Sequence, residues 1–312
     1  LRRDNKVSVN VKAITDEKVN MQKGTVAFLK HCKLKGLSID TIKFYDKELK
    51  QVRKAFFEIH VPLHDVSSVT NTHIEQFIEH MQALGRKVST INARLRAMHT
   101  FYNFCVEKGY TVKNPCEGIP QLKQRHKVGA TFTKSQLKKL LEAPNVHTFT
   151  GLRDLAIMTT FAHTGIRLSE LSAIRLQDIT FEGKGALIVQ RAKNRYARRI
   201  PLTKRLKAIL HAYIEERGSL DTDILFVNLE GTQISQRTIQ ERLKYYGEQT
   251  GVQNFVNVSP HAFRRTFCKL KVQAGTDIFV LQRLTGHSSL EILQRYVLIY
   301  GKDLEEAIER GI

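Results

Sequence analysis

Apolar residues recur in steps of three and four along most of this chain, and the rhythm breaks twice, over a basic stretch and over a group of short strands. This spacing restricts the fold more than any other feature, because it commits most of the chain to helices that each bury one face. Ser38 stands where a helix cap belongs, ahead of Ile42, Tyr45, Leu49, Val52 and Phe56. Ser89 stands likewise ahead of Ile91, Leu95, Met98, Tyr102 and Cys105. Ile74, Phe77, Ile78 and Met81 mark a helix between these two, and Phe28, Leu29 and Cys32 mark a shorter one before them. Residues 21–118 therefore predict a small all-helical domain. Residues 1–20 carry no pattern beyond the alternation of Val7, Val9 and Val11, and are set apart as an N-terminal extension.

Past residue 130 the helical rhythm returns. Thr133 is placed to cap a helix carrying Leu137, Leu140 and Leu141, and Leu152, Leu155, Ile157 and Met158 mark a buried one. Residues 179–181, 186–189 and 198–202 then read as short strands around Gly183, Gly185 and Asn194. Helical spacing resumes at Leu206. Residues 131–312 thus predict a second domain, and the fold class is mainly α with a small antiparallel β-sheet. It ends in a stripe of Leu304, Ala307, Ile308 and Ile312, expected to form a short docking helix. Between the domains, residues 119–130 lack apolar periodicity, follow Asn114-Pro115 and are read as a basic linker.

Charge narrows the partner. The 312 residues hold 50 Lys and Arg against 30 Asp and Glu, a net charge of +20. The excess is spread: 20 basic against 12 acidic residues over 1–120, 3 against 0 over 121–130, and 27 against 18 over 131–312. Such spread suits a chain that wraps a polyanion and does not fit a neutral enzyme with a basic tail. Cys32, Cys105, Cys116 and Cys268 have no C-x-x-C spacing, so buried free thiols are expected and a zinc site is not. No secretory segment or membrane-length apolar run is evident, so the reading is a cytoplasmic protein with no membrane partner. The chain begins at Leu1 and not Met, as expected of a trimmed or partial sequence.

Chemistry gathers in three stretches. They are Thr164-Gly165-Ile166-Arg167-Leu168-Ser169-Glu170-Leu171, then Ser259-Pro260-His261-Ala262-Phe263-Arg264, then Leu284-Thr285-Gly286-His287 with Tyr296 nine residues on. Cleaving a phosphodiester needs a nucleophile, positive charge for the pentavalent transition state and a proton for the departing 5′ oxygen. Tyr296 can be the nucleophile, but a free phenol has a pKa of ~10 and needs a base. Arg167 and Arg264 offer forked donors to the phosphate oxygens. His261 shares a helix face with Arg264 and can accept a proton. Lys193 lies between two predicted strands, where its amine can reach the leaving oxygen as general acid. His287 can add a hydrogen bond to the phosphate, and Glu170 reads as a supporting partner for buried donors. Singly, each residue has a plainer explanation: a surface pair, a core tyrosine, or a solvated hairpin of Arg191, Arg195, Arg198 and Arg199. The ordered set is what is specific. The clustered carboxylates of a metal-dependent nuclease are missing near these boxes, so neither metal nor cofactor is expected.

With these residues the chain resembles the tyrosine site-specific recombinases, of the lambda-integrase and Xer type, over roughly residues 21–300. The stretch from Thr164 to Leu171 is similar to the family's first arginine box, that from Ser259 to Phe267 to its His-x-x-Arg box, and that from Leu284 to Tyr296 to its final box. Counting back from Pro201, Lys193 falls where the family places its hairpin lysine. Leu37-Ser38-Ile39-Asp40-Thr41, Ser89-Thr90-Ile91-Asn92, Phe101-Tyr102-Asn103-Phe104 and Asn114-Pro115 are similar to its helical core-binding domain. The resemblance implies a C-shaped clamp around DNA, a covalent 3′-phosphotyrosyl link and strand exchange in a homotetramer on two duplexes. It also allows accessory DNA-bending or directionality proteins. Two departures stand out: Arg265 occupies a position where many relatives have histidine, and Gln190-Arg191-Ala192 replaces a glycine-rich hairpin. Tyr300 is a second candidate nucleophile, less well spaced from His287.

On the helix behind Ser89, Asn92, Arg94, Arg96 and His99 are expected to face away from the core and toward the major groove. Arg86, Lys87, Lys123, Arg125, Lys127 and Arg195 complete the expected DNA contacts. Two other readings compete. A type IB topoisomerase uses nearly the same catalytic set but works as a monomer, and the terminal apolar stripe favours a recombinase. A non-enzymatic DNA-binding module leaves six matching residues unexplained.

Overall fold

The computed structural model describes residues 18–123, 129–190, 197–287 and 289–300. The chain divides into two compact units, Leu1–His126 and Lys127–Ile312.

The first unit is helical. Its helices are α1 (Met21–Leu34), α2 (Ile39–Glu58), α3 (Asn71–Ala83) and α4 (Val88–Glu107). Ser38 caps α2 as expected, accepting from Thr41 N at 3.3 Å. Ser89 does not cap α4. The helix already begins at Val88 with Lys87 at its N-cap, and Ser89 lies in its first turn. The connection from α3 is closed by Gly85 in the left-handed region, leaving few residues before α4 starts. The anticipated apolar stripes meet in one core, where Phe28, Phe56, Phe77, Phe101 and Tyr102 are almost fully buried.

Two residues expected on the outer face of α4 are inside. Asn92 is 5% and Arg94 8% exposed. A stripe-and-face reading fails here because α4 is buried well beyond the expected stripe, with Ala97, Phe101 and Phe104 inside as well and only a narrow strip through Arg96, His99 and Asn103 left exposed. Asn92 is a tie: its amide donates to Leu122 O and its oxygen accepts from Leu122 N, both at 2.9 Å. Arg94 lies 3.6 Å from Glu48, which is also buried. Ile119 and Leu122 pack on this same core, so the start of the stretch read as linker belongs to the helical unit. Arg86, Lys87, Arg96, His99 and Lys123 are exposed.

The second unit opens with α5 (Lys134–Glu142) and α6 (Phe149–Thr164), followed by the short α7 (Leu168–Ser172). Thr133 caps α5 in a reciprocal pair with Gln136. Strands β1 (Ile179–Thr180), β2 (Ala186–Val189) and β3 (Arg198–Pro201) form an antiparallel sheet in that order, with Val189 opposite Arg198. Helices α8 (Lys204–Arg217), α9 (Gln236–Gln249), α10 (Pro260–Gln273), α11 (Ile278–Thr285) and α12 (Glu291–Tyr300) follow. The main core gathers Phe132, Phe161, Tyr213, Phe226 and Phe263. The four cysteines are buried and unbonded. Among the described residues no helix is long and apolar enough to cross a membrane. Residues 1–17, Arg125, Lys127, Lys193, Arg195 and the stripe from Leu304 to Ile312 lie outside the described residues.

Candidate active site

The site is built where two helices end. Helix α6 stops at Gly165, whose φ is +60°, and a Cβ there would come within 2.5 Å of the Phe267 ring. Helix α11 stops the same way at Gly286, with φ +66°. Before each glycine a threonine hydroxyl donates back one turn, Thr164 to Thr160 O at 2.6 Å and Thr285 to Leu281 O at 2.7 Å. A helix end leaves its last carbonyls without helical partners and carries partial negative charge. Arginines take up those carbonyls. Arg264 donates to Gly165 O at 2.6 Å and to Thr285 O at 2.8 Å. Arg167 donates to Gly286 O and Arg198 to Leu284 O, each at 2.9 Å. Three consecutive carbonyls of residues 284–286 thus each hold one guanidinium. Such a contact contributes about 0.3–1 kcal/mol at an exposed helix end and up to ~2 kcal/mol when partly buried.

Glu170 joins the arginines. It sits in the first turn of α7 and accepts from the backbone N of Arg167 at 3.0 Å. Its two oxygens also accept from Arg167 Nη1 at 3.1 Å and from Arg198 Nη1 and Nη2 at 2.9 and 2.7 Å. Burial alone pushes this carboxyl up, but the bonds from Arg198 and Arg167 and their charges dominate and hold it at about 2. Within this network three guanidiniums face one carboxylate, an excess of two positive charges. Burial and the neighbouring Arg167 bring Arg264 down to about 10, so it stays charged at neutral pH. Arg264 is 6% exposed, whereas the Arg167 side chain keeps 36%. The excess charge therefore opens to solvent through Arg167. Buried charge of one sign is costly unless an opposite charge joins it, so this cluster is set up to receive an anion.

Both histidines are held neutral. His261 is at the start of α10, where Ser259 caps and Pro260 occupies the first turn. Partial cover of its ring, and the charges of Arg265, Arg264 and Arg167, lower its pKa. Burial and then Arg264, Arg167 and Arg198 push His287 down to about 3. The Thr285 hydroxyl lies 2.8 Å from His287 Nδ1 and donates its one proton to Leu281 O. Its lone pair then accepts from Nδ1–H, which leaves Nε2 of the neutral ring as an acceptor. His287 must gain a proton before Nε2 can donate to a phosphate oxygen, and an anion in the cluster favours that gain.

Tyr296 lies on α12, which packs on α10 and α11. It is 7% exposed and shares a small apolar cluster with Phe267, Cys268, Val272, Leu281 and Leu293. Cys268 is one turn past Arg264 on α10, so the ring sits beside the helix that carries His261 and Arg264. The structure thus brings Arg167, Glu170, His261, Arg264 and His287 together and packs Tyr296 against α10 and α11. Lys193 lies in the stretch joining β2 to β3, outside the described residues.

Sequence reasoning missed two participants. Arg198 stands in the sequence only as one of four arginines that a solvated hairpin would explain, yet its side chain is 11% exposed. A signal was present: strand alternation puts Arg198 on the same face as buried Ile200. Arg265, the departure noted above, donates to Ala130 O at 3.1 and 3.0 Å and fastens the entry of this unit to α10. No sequence pattern reports that contact, because it joins residues 135 apart in the chain.

Residues 130–301 match the phage integrase family, and residues 26–109 match the N-terminal SAM-like domain of phage integrases. A tyrosine recombinase XerC of Thermodesulfovibrio yellowstonii is 31% identical over 293 residues, covering 91% of this chain and 94% of that protein. A tyrosine recombinase XerA of Pyrococcus furiosus is 30% identical, covering 91% and 92%. Among solved structures, a XerH site-specific recombinase bound to a palindromic difH substrate in a post-cleavage complex superposes with a TM-score of 0.74. It is 17% identical, with coverage of 98% of this chain and 90% of that one. That likeness speaks for the fold.

Proposed function

Because the chain belongs to the phage integrase family and its relatives are tyrosine recombinases, we propose how its own residues break and rejoin DNA at specific sites. Tyr296 attacks the scissile phosphorus. A bond forms from the phenolic oxygen to phosphorus and the bond to the 5′ oxygen breaks, leaving a 3′-phosphotyrosyl link and a 5′ hydroxyl. Neutral His261 takes the phenolic proton, and Lys193 supplies one to the 5′ oxygen. Arg167 and Arg264 hold the non-bridging oxygens, and His287, once protonated, adds a third donor. Attack by another 5′ hydroxyl reverses these steps and seals a new strand. Phosphodiester energy is conserved in the tyrosyl link, so no nucleotide is consumed.

The observation that carries this reading is the group of three arginines gathered about one carboxylate, Arg167 and Arg198 bonded to it and Arg264 to the carbonyls beside it, with the excess charge open at Arg167. A type IB topoisomerase is the less favoured reading, since the relatives are recombinases. The natural substrate is double-stranded DNA at a recombination site. Four copies on two duplexes supply the four cuts that exchange requires, so neighbouring copies must touch.

The test is covalent capture on nicked duplex DNA in excess EDTA. The unaltered chain gives a denaturant-resistant adduct and Tyr296→Phe gives none while still binding DNA. An adduct that survives Tyr296→Phe but vanishes in Tyr300→Phe moves the nucleophile to Tyr300. An adduct that needs added Mg²⁺ removes the arginines from the role given to them.

A further inference from the structure

Arg198 has no place in the steps above, yet it is bonded as tightly as any residue in the site. Its two terminal nitrogens grip both oxygens of Glu170, at 2.9 and 2.7 Å, and its Nε donates to Leu284 O at 2.9 Å. Forked contacts of this kind fix orientation as well as distance. With Arg167 the carboxylate of Glu170 accepts four N–H bonds, two on each oxygen, which fills its acceptor sites. The same Glu170 is bonded to the Arg167 guanidinium, whose other end reaches Gly286 O. Arg198 therefore joins three pieces: β3, the α7 turn that carries Arg167, and the end of α11 next to His287. Unlike Arg167 it has little access to solvent, 11% against 36%.

We propose that Arg198 is a positioning residue for strand cleavage: clamped between Glu170 and Leu284 O, it sets the angle at which Arg167 meets the scissile phosphate, without touching the phosphate itself. The proposal rests on the cleavage chemistry given above. Lysine keeps the charge but cannot grip two carboxylate oxygens and a carbonyl in one plane. Displacing a positioning group by about 1 Å can cost roughly 100-fold in rate.

The probe is nicked duplex DNA recovered from a random-sequence pool by covalent capture on the unaltered chain. Single-turnover rates of adduct formation at saturating DNA are measured for Arg198→Lys, Arg167→Lys and the double variant, each normalised to its folded fraction by thermal denaturation. DNA affinity is measured in parallel. The expected result is a cleavage rate for Arg198→Lys lower by about 100-fold with Kd within a factor of about two. The double variant should be no slower than Arg167→Lys alone, because both act through one guanidinium. A merely structural role lowers the folded fraction and leaves the normalised rate unchanged, which overturns the proposal. Rate losses that multiply in the double variant also overturn it, since Arg198 then acts independently of Arg167. If the unaltered chain forms no adduct, the cleavage reading itself fails, and that outcome is visible before any variant is made.

Discussion

Each unit buries an arginine beside a glutamate, and the two arrangements differ in how charge is balanced. In the helical unit one buried arginine, Arg94, meets one buried carboxylate, Glu48, 3.6 Å apart, with side chains 10% and 9% exposed, and the exposed Lys47 reaches the carboxylate's other oxygen at 3.6 Å. That separation is too long for a hydrogen bond, and Arg94 Nε is buried without one. In the second unit two guanidiniums, of Arg167 and Arg198, share Glu170, Arg264 stands beside them, and all three donate to carbonyls at helix ends. The buried charges of the first arrangement cancel, and its extra lysine is out in solvent. The second is left two positive charges over, and its geometry is well made all the same. A poorly bonded but balanced pair belongs to packing, whereas a well-bonded and unbalanced cluster belongs to a ligand.

The sharpest way to break this contrast is to remove a charge from each unit in turn. Arg167→Gln should slow adduct formation by about 1,000-fold, the loss typical of a transition-state donor. It should shift Tm by only a few degrees, because it also relieves repulsion from Arg264. Parallel calorimetry and single-turnover cleavage check this, and a large drop in Tm would make Arg167 a structural residue like Arg94. Glu48→Ala should do the opposite. It strands Arg94 in the core and should cost about 3 kcal/mol of stability, the low end for a broken buried pair. Cleavage per folded molecule should be unchanged. Replacing both partners, Arg94→Met with Glu48→Leu, should recover most of the loss in a urea titration.

Acid sharpens the comparison further. Glu170 is held at about 2, so the stability it contributes is complete above the ordinary carboxylate value of ~4.3 and lost as pH falls toward 2. His287 is held at about 3. The unfolded chain takes a proton near ~6.5 that the folded site refuses, so stability is lost as pH falls from ~6.5 toward 3. Both act in the same direction, with His287 first. The Tm difference between the unaltered chain and His287→Asn should narrow or reverse across that window, and DNA binding should flatten it by returning a proton to the ring. A difference that does not vary with pH would mean His287 is not kept neutral.

The smallest effect concerns DNA contacts on the helical unit. Arg96 is exposed and Arg94 is not. Arg96→Ala should weaken binding by about 1 kcal/mol, with a change in salt slope of about one if it meets a phosphate or in site preference if it meets a base. Salt titrations of binding distinguish the two, and identical curves would return Arg96 to plain solvated surface.

Much of this was legible because it is local. Ser38 and Thr133 cap helices since a hydroxyl needs only the next turn to bond. Apolar steps of three and four located the helices, and the break in that rhythm around Gly183, Gly185 and Asn194 located the three strands. The errors came where a residue's surroundings are set by distant chain. Ser89 is a plausible cap by type, yet the helix begins before it. Asn92 and Arg94 look like an outer face until Leu122 and Glu48 of α2 meet them. Arg198 looked solvated because Glu170 and Leu284, which hold it, are 28 and 86 residues away.

The sequence by itself determined the helical units, the short sheet, the spread of positive charge and the order of the chemical residues. Each of these depends on residue type and on neighbours within a turn or two. Only the tertiary structure decided which arginines share a carboxylate, which carbonyls receive them, and that Arg94 is inside while Arg167 keeps a path to solvent. Those outcomes depend on helix ends meeting across the fold, where a guanidinium is stable only if donors and acceptors from distant segments arrive in one plane.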